Sequence, residues 1–125
     1  MTRIFIAIAA ILGGTSVAAG AFASHALKEQ LSERSLEIFE TGAKYQMYHA
    51  LALLMVALLL TRTEGAQNLL LATGSAFILG TAIFSGSLYA LSLTGIKWLG
   101  AITPFGGAAF LVGWACLTIA AFGWK

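Results

Sequence analysis

Residues 45–61 read YQMYHALALLMVALLLT, seventeen positions without Lys, Arg, Asp or Glu. That is the length one helix needs to cross a hydrocarbon core, roughly 17 to 25 apolar residues. Three more uncharged runs accompany it, at residues 4–24, 65–96 and 98–124. The 125 residues carry only seven Lys/Arg and five Asp/Glu, 59% of them are hydrophobic, and the mean hydropathy is +0.89. A water-soluble domain is excluded by that balance. Lipid offers no partner to backbone N–H and C=O groups, and these runs lack the alternation of a membrane barrel, so the spans are helices. The run at 65–96 is long for one helix and too short for two with a turn, so it holds one span. The expected fold is an all-α, four-transmembrane-helix bundle in a single domain, with spans near 4–24, 45–61, 69–93 and 101–123.

The first run has a competing reading. Arg3, the apolar stretch and the small-residue sequence Ala21, Phe22, Ala23 also fit a secretory signal peptide. A signal core is about 7 to 15 residues, however, and this stretch is longer. Cys116 is the single cysteine, so no internal disulfide can form.

Charges between the runs define two sides. Arg3, the 62–67 turn with Arg62 and Glu64, and Lys125 share side one; the 25–44 segment and the 94–99 turn with Lys97 share side two. Lys and Arg are almost evenly divided, so the positive-inside rule decides little. The amino terminus and Arg3 favour cytoplasmic N- and C-termini in a bacterial inner membrane.

The 25–44 segment is patterned. Glu29, Glu33, Glu37, Glu40 and Lys44 recur at steps of three and four, while Leu31, Ile38 and Phe39 fall elsewhere. This predicts an amphipathic helix over about 32–44, capped by Ser32, with Glu40 and Lys44 as an i,i+4 ion pair. No proline separates it from the second span, so a continuous helix would outreach the bilayer and project or bend along the interface.

Small residues mark the packing faces. Ala9, Gly13, Ser16, Gly20 and Ser24 are spaced by three or four, as are Ala82, Gly86 and Ala90, and Gly106, Ala109, Gly113, Cys116 and Ala120. Such stripes let helix backbones approach, and Gly13, Gly20, Gly86, Gly106 and Gly113 are the expected contact points. Pro104 opens the fourth span, where its missing N–H is tolerated.

Side chains with chemistry gather toward side two. They are His25, Tyr45, Tyr48, His49, Ser85, Ser87, Tyr89 and Thr103, with Trp98 nearby. Together they could form a polar mouth for a ligand headgroup. Tyr45, Trp98 and Trp124 also suit an ordinary interfacial aromatic belt, and the histidines suit structural hydrogen bonds. Two histidines are a donor pair for haem or a metal, but no metal-ligand spacing joins them, so neither metal nor cofactor is expected.

Residues 20–27 (GAFASHAL), 39–53 (FETGAKYQMYHALAL), 84–91 (FSGSLYAL) and 100–107 (GAITPFGG), with Gly113 and Trp114, resemble the family called domain of unknown function 423, which includes eukaryotic transmembrane protein 256. The resemblance covers essentially the whole chain. Ala23 or Ser24 stands where that family usually has glycine. The resemblance implies a small integral membrane protein of four helices and assigns no activity to any residue.

Three functions compete. The leading one is a non-enzymatic membrane scaffold or accessory subunit, packing on another membrane protein or on copies of itself. The alternative is a protein binding a lipid- or quinone-like molecule through the His/Tyr/Ser mouth. A small transporter ranks lower, because no Asp or Glu lies within a span to exchange protons. Hydrolysis finds little support: the chain has no Asp, and pairing His49 with Ser87 would lack an orienting acid. The bilayer is the expected surrounding and nucleic acid is not an expected partner.

Overall fold

The computed structural model describes residues 1–124; Lys125, placed on side one by the sequence, lies outside them. Four α-helices follow in order: α1 Thr2–His25, α2 Glu33–Arg62, α3 Gln67–Thr94 and α4 Thr103–Phe122. Short 3-10 turns at Leu27–Glu29 and Lys97–Ala101 lead into α2 and α4. All four helices are long and apolar enough to cross a membrane, and among the described residues there is no strand.

The amphipathic segment and the second span form one helix. At thirty residues α2 is about 45 Å long, against a hydrocarbon slab of about 30 Å. Its first turns keep Glu33, Glu37, Glu40 and Lys44 exposed, while Phe39 is buried with Ala23 and Leu27. Ser32 caps it as expected, accepting from the Ser35 N–H at 3.1 Å. The ion pair found here is Arg34–Glu37 at 3.5 Å, rather than Glu40–Lys44. Exposed pairs gain at most about 1 kcal/mol, so water leaves their choice of partner nearly free.

Neighbours in sequence are neighbours in space: α1 packs on α2, α2 on α3 and α3 on α4. The core runs through Phe5, Leu53, Val56, Leu70, Phe77 and Phe110. Outward faces of α1 and α4 expose Ile11, Val17, Leu111, Ile119 and Phe122. An apolar surface of that extent suits lipid, not water. The chain reverses after α2 through Ala66, which holds a left-handed φ of 60°, and after α3 through Gly95 at φ 71°. The Gly95 N–H closes α3 on the Leu91 carbonyl at 2.8 Å.

Glycine contacts follow the aromatic rings opposite them. A Cβ on Gly106 would stand 2.7 Å from Phe84 Cα, and one on Gly113 would stand 2.6 Å from the Phe77 ring. Three glycines outside the expected set also face rings: Gly74 is filled by Phe5 and Gly80 by Phe110, while a Cβ on Gly42 would stand a looser 3.0 Å from Tyr89. Gly13 touches Ala50 at ordinary distance. Gly20 and Gly86 differ from the expectation, since a Cβ on either meets nothing within 4 Å. Gly86 borders a groove that parts α1 from α3, so no neighbour is close enough to need its missing side chain.

Candidate functional site

The side chains expected at one polar mouth divide among the helix interfaces. Between α3 and α4, Ser87 Oγ and Thr103 Oγ1 lie 2.6 Å apart, and Ser87 also donates to the Phe84 carbonyl at 3.0 Å. Between α2 and α3, Ser85 donates to the Gly42 carbonyl at 2.7 Å. Tyr45 packs against Phe84 and Tyr48 at the outer surface, and both tyrosines are exposed. His25 is exposed at the end of α1.

His49 leaves the rim. It stands sixteen residues into α2 and is buried in an aromatic box, stacked 3.6 Å from Phe110 and edge-on to Phe77. Its Nδ1 lies 2.8 Å from the Tyr45 carbonyl, and its Nε2 accepts from Trp114 Nε1–H at 3.1 Å. These partners define the neutral tautomer with the proton on Nδ1, donating to its own helix. Both ring nitrogens are therefore engaged, which leaves neither a free base nor an open ligand position. Ser87 has other partners, so the His49–Ser87 pairing does not occur. Among the described residues no three His, Cys, Asp or Glu side chains converge.

A different polar centre lies beside α1. Gln46 spends both amide hydrogens there, on the Leu12 carbonyl at 2.8 Å and Thr15 Oγ1 at 2.7 Å, while its Oε1 accepts from the Tyr89 hydroxyl at 2.7 Å. Ser16 adds a bond to the Ala43 carbonyl at 2.6 Å. One amide thus ties α1, α2 and α3 together. Each such bond is worth about 0.6 kcal/mol in a membrane, up to about 1.7. Sequence reading passed over Gln46 because a single amide leaves an apolar run looking uncharged. The available signal was its register: Gln46 lies four residues after Gly42 and three before His49, on the face α2 turns inward.

Above this network α1 and α3 stand apart. The groove between them encloses about 390 Å³ and is lined by Leu12, Thr15, Gln46, Thr81, Ser85 and Tyr89, among others. Outside the groove's lining, Phe5 joins α1 to α3 by seating in the notch at Gly74. Thr81 is buried, yet its hydroxyl has no hydrogen-bond partner.

Comparison with known proteins agrees with this architecture. The family model described as "Protein of unknown function (DUF423)" matches residues 19–107. A UPF0382 membrane protein of Bacillus subtilis, YwdK, is 42% identical over 95% of this chain and 96% of its own length. One from Haemophilus influenzae is 38% identical over 98% and 96%. The UPF0382 inner membrane protein YgdD of Escherichia coli is 37% identical over 96% and 90%. No solved structure matches the chain. Four membrane-length helices and end-to-end similarity to these relatives place the chain in the DUF423 family of membrane proteins.

Proposed function

We propose that this chain is a non-catalytic membrane protein that takes a lipid- or quinone-like guest into the groove between α1 and α3. The observation that carries this reading is Thr81, which lines an open cleft and whose buried hydroxyl has no partner. Hydrocarbon supplies no hydrogen bonds, so a polar atom left there favours any guest that pairs with it. The cleft size falls within the range of about 300 to 1,000 Å³ usual for small-molecule sites. The ligand mouth expected from the sequence shares Tyr89 and Ser85 with this groove; His25, Tyr48 and His49 lie outside its lining.

The test is native mass spectrometry of the protein released from its own membranes in mild detergent. Wild type should carry a non-protein mass that Ala82→Phe, which fills the groove, loses while keeping its helicity. An empty wild type, or an equal mass on the variant, refutes the reading.

A scaffold role has its own support. Gly14 and Gly20 on α1 meet nothing within 4 Å, which leaves a small-residue surface open to a second helix from a partner protein or another copy. Gly20→Leu should then abolish crosslinked complexes. Gly113 cannot report on this, because it is filled by Phe77 of the same chain. For orientation, Arg3 and the inner-membrane description of the Escherichia coli relative favour a bacterial inner membrane with both termini cytoplasmic.

A further inference from the structure

From the depth and hydrogen-bond inventory of the groove, and resting on the groove-binding reading above, we infer that its guest is an uncharged lipid whose polar end presents a carbonyl or hydroxyl oxygen at the middle of the bilayer.

Depth comes first. Thr81 stands fourteen residues after Gln67 and thirteen before Thr94, at the midpoint of α3. At 1.5 Å per residue it is about 20 Å from either end. A phospholipid headgroup is held at the interface by its charge and its water, and cannot descend that far without losing both. An uncharged head, a single ring or a glycerol, gives up far less on descending to that level than an ion does.

The second argument is what the groove can bond. Gln46 has used both donors, and its Oε1 accepts one bond, from Tyr89; Thr15 donates to the Ile11 carbonyl at 2.8 Å; Ser85 donates to Gly42. Within the spans, Thr15, Thr73 and Thr118 each return their hydroxyl to the carbonyl four residues back. Thr81 does not, and among the described residues its Oγ1 is the buried side-chain polar atom left without a partner. Thr81 lines the groove with one unsatisfied O–H donor, which a small turn of the side chain brings to a guest that answers with an oxygen acceptor. The Tyr89 oxygen keeps a lone pair for a guest that also donates.

Charge is the third. No Lys, Arg, His, Asp or Glu lines the groove. A phosphate or ammonium there would be desolvated without a counter-ion, which is unfavourable for any headgroup that cannot neutralise. An apolar tail, by contrast, finds Ile8, Leu12 and Ile78 along the walls and leaves sideways into lipid.

Quinones and diacylglycerols share this chemistry, and separate probes distinguish them. The full-length protein is placed in phosphatidylcholine nanodiscs and titrated with a decyl-tailed benzoquinone, dioleoylglycerol or dioleoylphosphatidylglycerol, with bound lipid counted by native mass spectrometry. At least one neutral probe should bind, and the anionic lipid should bind at least about tenfold more weakly. Thr81→Val preserves the side-chain shape and removes only the unpaired hydroxyl, so the bundle keeps its stability. It should weaken the neutral probe about tenfold, the effect of losing one hydrogen bond in a dry site. Ala82→Phe should block it. Equal binding of the anionic lipid overturns the uncharged class and leaves the groove reading intact. A neutral probe indifferent to Thr81→Val overturns the oxygen contact, and one indifferent to Ala82→Phe moves the site elsewhere and overturns both. No binding by any probe, with an empty wild type from native membranes, overturns the groove itself.

Discussion

Adding one methyl group to Gly106 should separate two helices. An ideal Cβ there would stand 2.7 Å from both Cα and Cβ of Phe84 on α3, where carbon atoms rest about 3.5 to 4.0 Å apart. The obstacle is main chain and cannot rotate aside, so α3 and α4 must part by about 1 Å along their contact. Over-packing costs about 1 to 3 kcal/mol, and an immovable neighbour puts Gly106→Ala near the upper end. Alanine returns about 1 kcal/mol as the better helix former, for a net loss of about 2 kcal/mol. Gly86→Ala is the internal control: its Cβ meets nothing within 4 Å, so it keeps the helix gain without the clash. The two variants should therefore differ by about 3 kcal/mol in reversible unfolding, followed by circular dichroism as SDS displaces a mild detergent. Equal stabilities for Gly106→Ala and Gly86→Ala would show that α3 and α4 are not in this register, and the argument would fail.

Gln46→Leu should destabilise the bundle by about 1 to 2 kcal/mol, because it removes the amide bonds to Leu12 and Thr15 and leaves the Tyr89 hydroxyl unpaired. In a double-mutant cycle with Tyr89→Phe the losses should be non-additive; simple additivity would deny the shared network. Trp114→Phe should cost about 0.6 kcal/mol, up to about 1.7, and should shift the His49 Nε2 resonance in a nitrogen-15 spectrum, since that nitrogen loses its donor. An unmoved resonance refutes the pairing. Reporters fused before Met1 and after Trp124 should both respond as cytoplasmic, whereas one inserted at Gln30 should respond from the opposite side; a split between the two termini would contradict four crossings.

The four spans were legible because a bilayer demands length and rejects charge, and both are written directly in the order of residues. The Ser32 cap and the wet stripe of α2 were legible for a similar reason: each depends on spacing within one helix. What joins different helices was harder to read. Small residues recur on three spans, but the register of the rings opposite them, Phe5, Phe77, Phe84, Tyr89 and Phe110, decides which glycines are filled. His49 looked interfacial by its distance from Lys44, yet its environment is set by Trp114 and Phe110 on α4, sixty or more positions later in the chain. Gln46 and Thr81 carry the groove, and each is a lone polar letter whose meaning comes from the helix across from it.

Phe5 seated at Gly74 works as a spacer between two helices. α1 is tethered along its length to α2 and meets α3 through this ring, so the distance kept between α1 and α3 rests on how one phenyl group fills one missing side chain. Trimming Phe5 would remove that spacer without touching any residue that lines the groove.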